Sequence, residues 1–265
     1  MLEIKNISKT FNIGTVNEKK ALKGLSLTLN DGDFVTVIGG NGAGKSTLLN
    51  AIAGVWPVDD GQILIGEKDV TRLPEYKRAA FLGRVFQDPM NGTAATMGIE
   101  ENLALALRRG RSRTLKAGIK NSERKLYSDW LKRLSLGLEE RLTSKVGLLS
   151  GGQRQALTLL MATLQRPQLL LLDEHTAALD PKTAKKVLDL TAEIVEEQKL
   201  TTLMITHNMK DAIQMGNRLI MMHEGNVIYD VAGEEKKKLT VEDLLHKFEE
   251  ASGEEFANDR MILAK

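Results

Sequence analysis

The sequence predicts an α/β fold built on a mainly parallel sheet. Three short runs, "FVTVIG" (34–39), "PQLLLLDE" (167–174) and "TTLMITH" (201–207), are almost continuously apolar, as strands buried on both faces are. Between the last two stands a helical pattern with Val187, Leu188, Ile194 and Val195 on one face. Strand, helix and strand in succession imply parallel neighbours.

The other elements follow along the chain. "LEIKNI" (2–7) and "GLSLTLN" (24–30) alternate apolar and polar residues, as half-exposed strands do. "STLLNAIA" (46–53) reads as a helix that Gly54 ends. Residues 90–150 break the strand–helix alternation and are mostly helical in pattern, so a helical insertion is expected at about 90–160. It holds a basic stretch, "RRGRSRTLKAGIKNSERK" (108–125), with eight Lys or Arg and one acid. That stretch is read as a solvated helical face or as a face for anionic headgroups or a membrane partner. "RLIMMHEGNVIYD" (218–230) predicts a hairpin turning at Glu224-Gly225. From about residue 232 the charge run "GEEKKK" opens a C-terminal helical tail, 232–265, with a helix at "TVEDLLHKF" (240–248) and Thr240 as its cap. There is no internal repeat and no low-complexity tract.

Composition narrows the function classes. The chain has 265 residues, 42% hydrophobic, enough for one large or two modest domains. Its 27% charged residues nearly cancel to a net charge of +2, so no nucleic-acid partner held by net charge is expected. The absence of cysteine excludes disulfides and thiolate metal sites. The start has no signal-peptide pattern, and no apolar run approaches the roughly 20 residues that cross a bilayer. A soluble intracellular protein is the expectation.

Two segments carry phosphate chemistry. "GGNGAGKS" (39–46) fits G-x-x-x-x-G-K-[ST] between a strand and a helix. Its glycines turn backbone amides inward, and the helix N-terminus adds positive potential. Lys45 would reach the terminal phosphates, Ser46 would ligate Mg²⁺ and Thr47 would bind a phosphate oxygen. Gly39, Asn41, Gly42, Ala43 and Gly44 complete the loop. "LLLLDE" (169–174) ends an apolar strand in two carboxylates. Strand alternation would send Asp173 to the metal and Glu174 to an attacking water. Phosphoryl transfer needs positioning and electrostatics more than covalent chemistry from the protein. "LLSGGQRQ" (148–155) looks like a second phosphate-binding turn at a helix start, without a lysine.

Taken in order, Phe11, the phosphate loop, Gln87 in "VFQDP", "LSGGQ", "LLLLDE", "AALD" (177–180) and His207 in "ITHNM" resemble the nucleotide-binding subunit of ATP-binding-cassette (ABC) transporters over about residues 1–231. The resemblance implies a P-loop NTPase core with a mainly parallel sheet, an antiparallel β subdomain and a helical subdomain insertion. It implies ATP and Mg²⁺ as cofactors and an ATPase activity. It also accounts for the second turn: two copies meet head to tail, and Ser150, Gly151, Gly152 and Gln153 of each cap the nucleotide held by the other. Phe11 would stack on adenine, with a core role as its alternative. Gln87 would touch Mg²⁺ or water and report to a membrane partner, or be an ordinary loop residue. His207 would bond the γ-phosphate. Asp180 would lie at the dimer contact, or simply cap the helix before Pro181. Expected partners are a second copy, transmembrane permease subunits and a solute-binding protein, with the chain peripheral on the cytoplasmic side of the cell membrane.

Two departures stand out from the family pattern. His175 follows the strand-end glutamate where proline is usual, which would alter loop rigidity or local pKa. "ALTLLMATL" after "GGQRQ" is more apolar than usual. The leading reading is an ATPase powering import through separate permeases, and the wording of "DEHTAALDP" points weakly to an amino acid such as tryptophan or tyrosine. Export of a lipid, lipoprotein or peptide, a soluble ABC protein acting on DNA or ribosomes, and a non-hydrolysing nucleotide sensor are the alternatives.

Overall fold

The computed structural model describes residues 1–110 and 118–252. Two sheets organise it. The larger has six strands: β3 (Phe34–Ile38), β6 (Leu82–Val85), β7 (Leu169–Asp173), β8 (Thr202–Ile205), β9 (Arg218–His223) and β10 (Asn226–Ala232), in the spatial order β10-β9-β3-β8-β7-β6. All neighbours are parallel except β9 and β10. Every residue of β3 and β8 is buried, which accounts for their unbroken apolar runs.

The smaller sheet is antiparallel, in the order β2-β1-β4-β5, from β1 (Leu2–Phe11), β2 (Lys19–Leu29), β4 (Asp60–Ile65) and β5 (Lys68–Asp69). Both alternating segments read from the sequence lie in it, each extended by several residues. Between the sheets runs α1 (Lys45–Ala53), whose Leu48, Leu49, Ala51 and Ile52 belong to a core shared with Leu2, Ile4, Leu22, Leu171 and Leu203. Gly54 ends α1 in the left-handed conformation, φ 84°, as expected. The short helix α2 (Glu75–Arg78) follows β5.

The insertion forms a helical layer of α3 (Ile99–Leu107), α4 (Asn121–Arg133) and α5 (Gly151–Thr163). It has its own core around Ile99, Leu103, Tyr127, Leu131, Leu138, Val146 and Leu157. Three residues of the basic stretch are paired within this layer. Arg108 bonds both oxygens of Glu123, at 2.7 and 3.0 Å, and Arg124 pairs with Glu100 at 2.7 Å. Arg109 is partly buried and donates to the Ala162 carbonyl at 3.2 Å. These three arginines tie the layer together, while Lys120, Arg124 and Lys125 remain exposed. Arg111, Arg113 and Lys116 lie outside the described residues.

The remaining helices flank the large sheet. In α6 (Pro181–Gln198) the buried residues are Val187, Leu188, Thr191, Ile194 and Val195, the face read from the sequence. The β9–β10 hairpin turns at Glu224 and Gly225, φ 45° and 82°, the pair of positive values that a two-residue type I′ connection needs. Before the hairpin, between β8 and β9, lies α7 (Met209–Gln214), and beyond it come α8 (Gly233–Lys237) and α9 (Val241–Ser252). Thr240 caps α9 by accepting from the Asp243 amide at 3.2 Å. The charge run at α8 is not wholly solvated: Lys236 is 2% exposed and donates to the carbonyls of Ile213, Met215 and Gly216 at the end of α7. Leu244 and Phe248 of α9 pack on Met209, Ala212, Leu219 and Met221.

Candidate functional site

The phosphate loop runs from the end of β3 to the start of α1. Two glycines are forced by close approach. Gly39 has φ 151°, and a Cβ there would lie 2.2 Å from the Met222 carbonyl oxygen. Gly44 has φ 100°, with the Ala21 carbonyl 2.6 Å from the same construction. Asn41, Gly42 and Ser46 are exposed, whereas Ala43, Lys45 and Thr47 are buried. The Lys45 ammonium donates to the carbonyls of Gly39 and Gly40, at 2.7 and 3.0 Å, inside the loop where a phosphate group would sit.

Strand β7 delivers the carboxylates. Asp173 is the last strand residue, and burial raises its pKa, opposed by the Arg84 guanidinium 3.6 Å away. Glu174 diverges from it because the chain turns there, with φ 44°, not through continued strand alternation. That left-handed residue aims the carboxylate at the Gln87 amide, 3.2 Å, and at His207 Nδ1, 3.5 Å. Pairing with His207 lowers the Glu174 pKa, and pairing with Glu174 raises that of His207. Lys45 acts electrostatically on Asp173, Glu174 and His207 alike. The fold thus gathers Lys45, Gln87, Asp173, Glu174 and His207, drawn from four segments of the chain, at the C-terminal edge of the parallel sheet.

Phe11 is partly exposed at the end of β1, with the Trp56 ring edge-on at 5.0 Å. His175 does not face the site. It is 2% exposed, bonded through Nε2 to Thr191 Oγ1 at 3.1 Å, and burial lowers its pKa to about 4. A neutral, enclosed imidazole there cannot substitute for Glu174 or His207.

Ser150 and its neighbours lie elsewhere. They border a cavity of about 500 Å³ between the end of α4 and α6, whereas the phosphate loop borders one with Lys19, Lys20 and His223. Ser150 caps α5 in a reciprocal box: its Oγ accepts from the Gln153 amide at 3.3 Å, and the Gln153 side chain accepts from the Ser150 amide at 3.1 Å. The hydroxyl still has its own proton to donate. Asp180 caps α6, accepting from the Thr183 amide at 3.1 Å, with Pro181 in the first helical position. Ser150, Gly151 and Asp180 are all exposed.

Three residues beside these sites were not singled out from sequence. They are Trp56 next to Phe11, Arg84 next to Asp173, and Lys19, whose ammonium would lie 2.9 Å from a Cβ on Gly42. The position of Trp56 just beyond the phosphate-loop helix was the available signal. Arg84 gave none, because its four-residue strand was not read.

The sequence model of the family described as "ABC transporter" matches residues 22–177. The chain is 50% identical over 251 residues to the tyrosine transport ATP-binding protein of Clostridioides difficile (strain R20291), covering 95% of this chain and all of that one. It is 40% identical over 201 residues to the thiamine import ATP-binding protein ThiQ of Chelativorans sp. (strain BNC1), covering 76% of each. Among solved structures, the dimeric post-hydrolysis state of the ATP-binding cassette MJ0796 bound to ADP and Pi matches with a TM-score of 0.73 and 29% identity, over 88% of this chain and 98% of that one. The ADP conformation of the cassette MJ1267 matches at 0.76 and 28%, over 94% and 98%. The chain belongs to the ABC transporter family, as an ATP-binding, ATP-hydrolysing subunit.

Proposed function

We propose that the chain powers import of an aromatic amino acid, tyrosine first, by hydrolysing Mg-ATP against separate permease subunits. The 50% identity to a tyrosine transport subunit across the whole of that protein supports the solute class. Among the described residues no helix is long and apolar enough to cross a membrane, so the transport path calls for other polypeptides. The chain would then be peripheral, at the cytoplasmic face of the membrane its permease spans.

The convergence of Lys45, Gln87, Asp173, Glu174 and His207 carries the hydrolytic reading. ATP would lie with its adenine on Phe11 and its phosphates in the loop 39–47. Lys45 would exchange the two loop carbonyls for β- and γ-phosphate oxygens. The Ser46 hydroxyl, the Gln87 amide oxygen and the Asp173 carboxylate are hard oxygen donors that suit Mg²⁺, and the buried Asp173 is well served by a cation. Bound Mg²⁺ would neutralise charge on the β- and γ-phosphates. Glu174, kept ionised by His207, would orient a water in line with the γ-phosphorus and take up its proton as the bond to the β-phosphate oxygen breaks. His207 would steady a γ-phosphate oxygen. Ser150, the amides of Gly151 and Gly152, Gln153 and Asp180 of a second copy would close the site.

Glu174→Gln keeps the loop and Asp173 intact and removes the charge that polarises water. It should retain ATP binding while phosphate release falls by ~10²–10⁴-fold. Lys45→Ala should lose nucleotide binding itself. Near wild-type release from Glu174→Gln would remove Glu174 from its role. Deleting the gene should abolish uptake of labelled tyrosine, and unchanged uptake would refute the solute.

A further inference from the structure

Neither Gly151 nor Gly152 has a positive φ; both sit in ordinary helical backbone at the start of α5. Backbone conformation therefore does not require glycine at either position. Packing inside the same chain does at Gly152, and it leaves little room at Gly151. A Cβ on Gly152 would lie 2.1 Å from Thr183 Cγ2, and one on Gly151 would lie 3.3 Å from Leu179 Cδ2. Leu179 and Thr183 flank Asp180, and the Thr183 amide donates to the Asp180 carboxylate at 3.1 Å.

One residue therefore makes both contacts. A methyl group at position 152 would push Thr183 Cγ2 aside and disturb the start of α6, where the Thr183 amide holds the Asp180 carboxylate. We infer that the two glycines after Ser150 are the seat of the Leu179–Thr183 segment, making Thr183 a positioning residue that locks Asp180 to Ser150 within one chain, so that both are presented to a second copy as one unit. This rests on the head-to-tail dimer reading and adds a link within each chain. Close approach, besides any nucleotide contact, thus explains a glycine at 152.

The full-length chain tests it with Gly152→Ala, Thr183→Ser, Thr183→Val and the double variant Gly152→Ala/Thr183→Ser. Serine keeps the hydroxyl and removes the obstructing methyl; valine keeps the bulk and loses the hydroxyl. Gly152→Ala should lower kcat roughly tenfold or more, because overpacking a filled contact forces side chains off their rotamers. Thr183→Ser alone should stay near wild type, and in the Gly152→Ala background it should restore most of kcat and of Tm. Thr183→Val keeps the obstructing bulk, so in the Gly152→Ala background it should restore neither kcat nor Tm. If the double variant remains as impaired as Gly152→Ala in both kcat and Tm, the seat is not what requires glycine and the inference fails. A fully active Gly152→Ala also overturns it. Absence of phosphate release from the wild-type chain would instead reject the ATPase reading, and the Tm cycle would still decide the contact.

Discussion

Glu174 sits in left-handed backbone, at a cost of order 1–3 kcal/mol for a non-glycine residue. Its adjacency to Asp173 was legible in "LLLLDE", but the turn that separates their carboxylates was not, because φ leaves no trace in a pair of acidic letters. His207 shares that history: sequence order identified it, and only the fold brings its ring to 3.5 Å from Glu174. The pair fixes a pH response. His207 is raised above its ordinary 6.5, so its share of the stabilisation is complete below that value and is lost as pH rises through the higher folded value. Glu174 is lowered below 4.5, so its share is present above that value and is lost as pH falls through the lower folded value. The pair is therefore strongest between the ordinary carboxylate and imidazole ranges. Lys45 and Asp211 also face the ring, the first lowering and the second raising its pKa. By NMR, the His207 ring should titrate above 6.5 in the wild-type chain. In Glu174→Gln it should move down, since burial is then less opposed. An unmoved midpoint would show that Glu174 does not set it.

Among elements, those with strong local signals were readable and those defined by tertiary contacts were not. The Gly54 stop, the Thr240 cap and the Glu224-Gly225 turn rest on local chemistry. "S-G-G-Q" is also a capping box in letters, a Ser followed three residues later by Gln, which the phosphate reading overlooked. Strand β6, four residues with a Gly and an Arg, has too little pattern to declare itself. Arg78 shows the same limit. It is 2% exposed and gives all its described bonds to carbonyls: Ala51 and Ile52 at the end of α1, Thr71 and Leu73 beside the small sheet. It therefore fastens the phosphate-loop helix to the antiparallel subdomain, and the fork geometry of guanidinium is what spans four acceptors. Arg78→Met should leave these buried carbonyls short of donors and cost on the order of 3 kcal/mol. That corresponds to a fall in Tm of roughly 6–12 °C for a chain of this size. A melting curve within a degree or two of wild type would show that other donors replace it.

At the scale of the whole molecule, the parallel sheet was legible because buried strands have no polar face to disguise them. The pairing of Arg108 and Arg124 was not, because a guanidinium paired inside a helical layer is written with the same letter as one in water. The arrangement of half-sites belongs to this scale as well. Lys45, Asp173, Glu174 and His207 gather beside the phosphate loop, while Ser150, Gly152 and Gln153 border a separate cavity. On the proposed head-to-tail arrangement each chain carries two different halves, and two chains related by a two-fold axis would match each half to its complement. Phosphate charge would link the halves: without it the Ser150 hydroxyl and the Gly151 amide at the α5 start have no ligand to share with Lys45. Dimerisation should therefore require bound Mg-ATP and should persist when hydrolysis is blocked. In sedimentation, Glu174→Gln should be a monomer alone and with ADP, and a dimer with Mg-ATP. Adding Ser150→Arg should abolish the dimer by filling the space meant for the partner's phosphates, while leaving nucleotide binding to the loop intact. A dimer of equal affinity with and without Mg-ATP would mean that the subunits associate through some other surface, and that closure over nucleotide is not what drives them together.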